Sequence, residues 1–168
     1  MKIFAITGHK NTGKTNLMER VLKEIVSRGI TVSTVKHAHH DTDIDHPGRD
    51  SYRHRQAGAS QVVLSTKNRW AIMTELRGSP EAKLENIIKS MNPVQLILIE
   101  GYKDNLYSKI ETFRQEINKP LLARSNGTIK AVASDTSIQD LKVPNFNLND
   151  TKKITNFLLQ EVGIKIET

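Results

Sequence analysis

The start of the chain alternates apolar and polar segments in the order strand, helix, strand. Met1–Thr7 is an apolar, β-prone stretch, and Ile30–Val35 is rich in Val, Thr and Ile. Between them, the apolar residues of Lys14–Arg28 recur at the spacing of one helix face, and Gly29 is a suitable helix end. This order predicts a βαβ unit, and hence a parallel sheet with a right-handed crossover.

The rest of the chain continues this pattern with further elements. Val94–Ile99 is a continuous apolar run, which is typical of a central parallel strand, and helical periodicity marks Pro80–Met91 and Asp150–Val162. The shorter predicted elements are a helix at Asp50–Ala57, hairpin strands at Gln61–Ser65 and Arg69–Leu76, and strands at Lys109–Phe113, Pro120–Ala123 and Ile129–Ala133. We therefore expect one α/β domain over residues 1–168, with helices flanking a mostly parallel sheet and with an inserted β-hairpin.

Composition narrows the functional classes. The 168 residues include no cysteine, which excludes disulfide frameworks and thiolate metal sites. No apolar run reaches the roughly 20 residues of a membrane span, and the N-terminal stretch lacks the features of a signal peptide, so we expect a cytoplasmic protein with no membrane partner. The net charge of +7 suits anionic partners such as nucleotides. Because the basic residues are dispersed and are not interleaved with aromatic ones, we expect no nucleic-acid binding.

A phosphate-binding motif follows the first predicted strand. Residues 8–15 match G-x-x-x-x-G-K-[ST] at every fixed position, and the motif opens the first helix. Its glycines let backbone N–H groups approach phosphate oxygens at the positive end of the helix dipole, and its lysine faces the terminal phosphates. We therefore expect a P-loop NTPase-like fold. The predicted nucleotide-binding residues are Gly8, His9, Lys10, Asn11, Thr12, Gly13, Lys14, Thr15, Asn16 and Gly101.

A carboxylate at the end of an apolar strand completes the predicted magnesium site. Glu100 ends the run Leu96–Ile99, where P-loop proteins place an acidic residue that reaches Mg²⁺ directly or through water. The hydroxyl of Thr15 is the second predicted ligand. Gly101 would let a backbone N–H approach a terminal phosphate.

The segment Lys36–His46 is unusually rich in His and Asp. Three interpretations stay open: a loop whose carboxylates and Lys36 meet Mg²⁺ and phosphate, a transition-metal site, or a solvated polar loop. The first adds Asp41 as a further candidate metal ligand. The metal interpretation lacks an i, i+4 pair of histidines on a helix and a cysteine to complete a tetrahedral set.

Six sequence blocks in order resemble one known family. The blocks are GHKNTGKTNLMERV, KHAHHD, GRDSYRHRQAGA, ILIEGYK, KIETFR and AVASD. Together they are similar to the molybdopterin-guanine dinucleotide biosynthesis adapter protein B family, from about Ile3 to Asp135.

The resemblance implies a function that the residues alone do not. It implies a P-loop protein that binds GTP with Mg²⁺ and hydrolyses it weakly at most. Because the sequence offers no identifiable Gln or Arg to position water or to act as an arginine finger, we assign no catalytic residue. It implies as partners the guanylyltransferase that attaches GMP to molybdopterin, together with other molybdenum cofactor assembly proteins. It also implies a homodimer, for which the hairpin Gln61–Leu76 is a candidate surface. Whether Trp70 belongs to that interface or to the core stays open at this point.

Two alternatives remain at this stage. The guanine-specifying pattern Asn-Lys-x-Asp is absent, because Asn118-Lys119-Pro120-Leu121 fails at its fourth position, so GTP rather than ATP rests on the resemblance. A small-molecule kinase would use Arg49, Arg53 and Arg55 as its arginine cluster. A metal-insertion GTPase would use the histidine-rich loop to carry its metal.

Overall fold

The structure is a computed structural model that describes residues 1–38 and 45–165. They fall into two units, one of residues 1–38 and 93–165 and the other of residues 45–92. The expectation of a single domain stays a prediction. In chain order the elements are β1 (Lys2–Gly8), α1 (Lys14–Ser27), β2 (Val32–Lys36), α2 (Asp50–Gln56), β3 (Gln61–Ser65), β4 (Trp70–Thr74), α3 (Leu84–Ser90), β5 (Leu96–Glu100), β6 (Lys109–Phe113), β7 (Ile129–Ser134), β8 (Asn145–Asn147) and α4 (Thr151–Glu161), with short 3₁₀ helices at Gln115–Ile117 and Leu122–Arg124.

A six-stranded sheet in the order β2-β5-β1-β6-β7-β8 forms the centre of the larger unit. Every pair of neighbouring strands is parallel, which confirms the predicted α/β fold with a parallel sheet. All five residues of β5 are buried, as the continuous apolar run predicted. No described helix is long and apolar enough to cross a membrane.

One face of the sheet packs against α1 and α4. Phe4, Ile6 and Ile110 are fully buried on this face, and the two helices contact each other above it. The side chains that the helices contribute lie at the spacing of a single helix face; they are Leu17, Met18, Val21 and Ile25 of α1 and Ile154, Leu158 and Leu159 of α4.

The other face carries two fully buried charged side chains on β6. Lys109 and Glu111 flank Ile110 and therefore point away from α1 and α4. The Lys109 ammonium donates to the carbonyl oxygens of Lys103 and Asn105 at 3.2 and 2.6 Å. Residues 101–108, which join β5 to β6, contain no α-helix. The lysine thus pairs carbonyl groups of a connection that has no helical hydrogen bonds of its own.

Glu111 pairs backbone N–H groups of the connection from β6 to β7. Its two carboxylate oxygens accept the backbone N–H groups of Leu122 and Ala123 at 2.9 and 2.8 Å. Burial raises the pKa of Glu111, and these two hydrogen bonds oppose that rise. The carboxylate therefore fixes the 3₁₀ helix Leu122–Arg124 against the sheet.

The strands end at two different heights along the carboxyl edge of the sheet. Glu100, the last residue of β5, pairs with Ile6, two residues before the end of β1. On the other side of β1, Thr112 pairs with Gly8, and β6 continues to Phe113, which pairs with the last residue of β7. The edge is therefore lower beside β5 than beside β6.

The smaller unit contains the predicted hairpin. Strands β3 and β4 are antiparallel, with Gln61 opposite Thr74 and Ser65 opposite Trp70. Trp70 is 60% exposed, and two further exposed apolar side chains, Val63 and Ile72, lie on the same face of the hairpin. We call Val63, Trp70 and Ile72 the hairpin patch.

Two expectations about elements were wrong, and one element was not predicted. Pro120–Ala123 is not a strand, because Glu111 binds the N–H groups that a strand would use and the chain turns into the 3₁₀ helix. Helix α3 begins at Leu84 and not at Pro80, since Leu84 is the first residue of that window whose side chain is buried. Strand β8 was not predicted; it is three residues long and two of them are Asn.

Candidate functional site

The loop of residues 8–15 starts where β1 ends at the carboxyl edge of the sheet. Gly8 has a φ of +141°, and a Cβ there would lie 2.5 Å from the carbonyl oxygen of Thr112 and 2.8 Å from Oγ1 of Thr12. Both backbone conformation and close approach therefore demand glycine. Gly13, with a φ of +94°, is the residue before α1. The motif has the strand–loop–helix context that its chemistry requires.

Threonine hydroxyls anchor this loop to β6. Thr12 is 1% exposed; its Oγ1 donates to the carbonyl oxygen of His9 at 2.8 Å and lies 2.7 Å from Oγ1 of Thr112. The Nε2 atom of His9 lies 2.9 Å from the carbonyl oxygen of Pro120, next to the turn that Glu111 holds. The loop is thus fixed from the side of β6 and its following turn.

Lys14 points back into the loop. Its Nζ donates to the carbonyl oxygen of His9 at 2.6 Å. Burial lowers the pKa of Lys14, Lys103 and Lys36 add to this, and the charge of Glu100 opposes it. A partly desolvated ammonium with a neutral carbonyl partner gains energy from a nearby anion, so the geometry suits a phosphate group.

Glu100 lies between Thr15 and Lys36. Oγ1 of Thr15 donates to Oε1 of Glu100 at 2.8 Å, and Nζ of Lys36 is 3.5 Å from the same oxygen. Glu100 is 7% exposed. The predicted metal ligands Thr15 and Glu100 are therefore together, whereas Asp41 lies outside the described residues.

The hydroxyl and carboxylate oxygens fit a hard divalent cation. Adjacent ligands of an octahedral Mg²⁺ lie about 2.9 Å apart, given Mg–O distances of about 2.05 Å. The 2.8 Å between the Thr15 and Glu100 oxygens matches that spacing. The described residues hold no group of three or more His, Asp or Glu that could bind a metal.

Gly101 turns the chain directly after Glu100. It has a φ of +93°, and a Cβ there would lie 3.0 Å from Cβ of His37. Its N–H group donates to the carbonyl oxygen of Ile6 at 3.4 Å and is therefore engaged with the sheet. The rings of His37 and Tyr102 stack with centroids 4.4 Å apart. Most of the histidine-rich segment, including His39 and His40, lies outside the described residues, so its three interpretations stay open.

Two of the three arginines in the cluster of the kinase alternative form ion pairs within the smaller unit. Arg55 forms an ion pair with Glu75 at 3.0 Å, and its side chain is 10% exposed. Arg53 lies 3.9 Å from Asp50. A nearly buried, paired Arg55 supports the smaller unit and does not resemble a lid residue that awaits a phosphate.

Comparison with known proteins assigns the family. The family model described as "Molybdopterin guanine dinucleotide synthesis protein B" matches residues 3–135, well over half of the chain. The chain belongs to this family. The resemblance inferred from the ordered sequence blocks is confirmed over nearly the same range.

Relatives and solved structures agree with the family assignment. The Escherichia coli K12 protein named molybdopterin-guanine dinucleotide biosynthesis adapter protein is 35% identical over 161 residues, 94% of this chain and 91% of that protein. A Haemophilus influenzae protein of the same name is 41% identical over 122 residues, 71% of this chain and 67% of that one. The crystal structure of a MobB homolog from Bacillus stearothermophilus has the same fold, with a TM-score of 0.74 at 24% identity over 98% of this chain and 100% of that one.

Sequence reasoning identified the loop but missed its supports. Thr112, Lys109 and Glu111 all lie on β6, inside the block KIETFR of the family match. Two ionisable residues in a strand that is expected to be buried indicate that this strand supports neighbouring loops, because buried charged groups need partners. The sequence does not show which partners they have, since those are backbone groups of loops.

Proposed function

We propose that this protein is a GTP-binding adapter in the synthesis of the guanine dinucleotide form of molybdopterin, with slow Mg²⁺-dependent GTP hydrolysis. The carrying observation is the arrangement of Lys14, Thr15 and Glu100 around the loop at the start of α1. The adapter role itself comes from the family and from the names of its relatives in Escherichia coli and Haemophilus influenzae.

The loop supplies the groups that a triphosphate needs. The N–H groups at the start of α1 and the positive end of its dipole face the anion. When a nucleotide binds, the Lys14 ammonium would donate to phosphate oxygens instead of the carbonyl oxygen of His9. Thr15 and Glu100 would hold Mg²⁺, which neutralises phosphate charge when bound. Lys36, 3.5 Å from Glu100, adds a second cation on the same side.

Slow hydrolysis is proposed because the sequence offers no identifiable Gln or Arg to orient the attacking water or to neutralise the transition state. Turnover above about 1 per second without a partner would contradict this expectation. If hydrolysis is slow, the adapter would act through binding. Its partners would be the molybdopterin guanylyltransferase and other cofactor assembly proteins.

We also propose that the protein is a homodimer. The residues of the hairpin patch, Val63, Trp70 and Ile72, are 47–60% exposed and lie on one face of two adjacent strands. Exposed aromatic and aliphatic groups that lie together are typical of interface cores. The family resemblance favours a second copy of this chain as the partner on this surface.

Calorimetric titration with GTP and with ATP, each with Mg²⁺, tests the proposal. GTP should bind well and ATP weakly. Lys14→Ala should lower the affinity for GTP by about 10- to 100-fold, the range for hydrogen bonds to charged groups. Lys23→Ala removes the same charge from an exposed position on α1 and is the matched control, with little expected change.

The outcomes separate the alternatives. If the folded Lys14→Ala variant bound GTP with the same affinity as the unaltered protein, the loop would be excluded as the binding site. Preferred binding of ATP would favour the kinase alternative, which phosphate transfer to an added acceptor would then test.

A further inference from the structure

A second cleft lies at the carboxyl edge of the sheet, where β7 and β8 end. It has a volume of about 260 Å³, with Asp135, Thr136 and Ser137 on the side of β7 and Asn145, Phe146 and Asn147 on the side of β8. Pockets for drug-sized ligands start at roughly 300 Å³. The cleft thus has the size for a single planar ring system, and its rim is mostly polar.

This cleft adjoins the phosphate-binding loop. Nη1 of Arg114 lies 3.7 Å from Oδ2 of Asp135, and Nε of the same guanidinium would lie 3.8 Å from a Cβ on Gly13. On the opposite side, Leu148 directly follows Asn147 and would lie 3.7 Å from that same Cβ. Arg114 and Leu148 therefore both lie between the cleft and Gly13, the residue before Lys14.

The carboxylate of Asp135 is oriented before any ligand arrives. The backbone N–H of Gln115 donates to its Oδ1 at 3.3 Å, and Arg114 approaches its Oδ2. The side chain is nevertheless 34% exposed, so acceptor positions remain towards the cleft. The loop that follows is held by Asn145, whose Oδ1 accepts the N–H of Ile138 at 3.1 Å.

We propose that this cleft receives the base of the nucleotide and that Asp135 selects guanine over adenine. The inference rests on the proposed function, since it adds a base site to the proposed phosphate site. Guanine presents two adjacent donors, N1–H and the 2-amino group, to which a carboxylate can accept two hydrogen bonds. Adenine presents the lone pair of N1 at the same edge, which a carboxylate repels.

This assignment gives the chain a base-reading residue that does not need the pattern Asn-Lys-x-Asp. The carboxylate stands at the end of β7, two strands away from β1, and Arg114 bridges from it to the loop. Base and phosphate groups would then lie on the same edge of the sheet, as ligands of parallel α/β sheets do.

Asp135→Asn, titrated with the Mg²⁺ complexes of GTP, ATP and xanthosine triphosphate, tests the inference. The amide keeps an acceptor for N1–H, but its NH₂ faces the 2-amino group of guanine and can donate to the 2-carbonyl of xanthine. We expect the affinity for GTP to fall at least about tenfold and xanthosine triphosphate to become the preferred ligand. Asp140→Asn, an equal charge change at an exposed position of the same loop, should leave the GTP preference unchanged.

Unchanged preference for GTP in a folded Asp135→Asn variant would overturn the inference. If that variant does not fold, inosine triphosphate decides with the unaltered protein. It lacks the 2-amino group and should bind about tenfold more weakly than GTP, whereas equal affinity would overturn the base site. These results are distinct from failure of the proposed function, in which the unaltered protein would not bind GTP or would bind it independently of Lys14.

Discussion

Gly8→Ala is the change whose effect can be derived most directly from the structure. The new Cβ would lie 2.5 Å from the carbonyl oxygen of Thr112 and 2.6 Å from its Oγ1. The carbonyl is part of β6 and cannot rotate away, so the loop or the strand must shift. Overpacking of this kind costs about 1–3 kcal/mol, and a positive φ costs a residue with a Cβ roughly 1–2 kcal/mol more.

These two costs add to about 2–5 kcal/mol in the free energy of unfolding. For a chain of this length, each kcal/mol lowers Tm by roughly 2–4 °C, so we expect a decrease of about 4–20 °C. Thermal unfolding followed by circular dichroism measures it. The loop would also be displaced, so titration of the folded variant with GTP should show weaker binding.

Gly29→Ala separates the two costs. Gly29 has a φ of +75°, and a Cβ there would have no neighbour within 4 Å, so the conformational cost remains without the clash. We expect a loss of about 1–2 kcal/mol in the free energy of unfolding and a decrease in Tm of roughly 2–8 °C. If Gly8→Ala cost no more than Gly29→Ala, the close approach of the loop to β6 would be refuted.

Two further predictions concern the sheet and the hairpin. Burial lowers the pKa of Lys109, so the unfolded chain binds more protons between that lowered pKa and the ordinary value of 10.5. The unaltered protein should therefore gain stability over Lys109→Met as pH rises through this window and lose it as pH falls; a pH-independent difference in urea unfolding would contradict this. Trp70→Ser should weaken the proposed dimer by about tenfold or more, since burying a large apolar side chain contributes about 1.5–3 kcal/mol. Sedimentation at several concentrations measures this, with Lys67→Ser in the hairpin turn as control, and equal dimerisation of both variants would exclude the hairpin patch as the interface.

The elements that the sequence predicted well share one property, which is that their determinants are local. Helix α1 lies within the predicted Lys14–Arg28. Strand β5 ends at Glu100, one residue after the predicted end at Ile99. Both carry long, regular apolar patterns. The loop of residues 8–15 was predictable for a related reason, since its fixed glycines specify backbone conformations by themselves.

The elements that were missed depend on contacts between distant residues. The apolar run Pro120–Ala123 was predicted to be a strand, but Glu111, eleven residues away from Leu122, binds its N–H groups. Strand β8 has no alternating pattern, and its pairing with β7 gives it its structure. Asp135 ends the block AVASD, but the sequence does not show the cleft to which it belongs, because residues 134–137 and strand β8 form that cleft together.

The unequal strand ends give the carboxyl edge a step. Strands β2 and β5 end level with Ile6, whereas β6, β7 and β8 end one residue beyond the level of Gly8. Three residues of strand correspond to about 10 Å.

A flat edge would offer one shallow surface, whereas the step offers a lower and a higher level. The proposed metal ligands lie at the lower level, and the proposed base cleft lies at the higher level. The lengths of the strands therefore determine the shape of the proposed binding site. Lengthening β5 by two residues would keep its inward and outward faces, yet it would raise the terminal carboxylate by about 6.6 Å and separate it from Thr15.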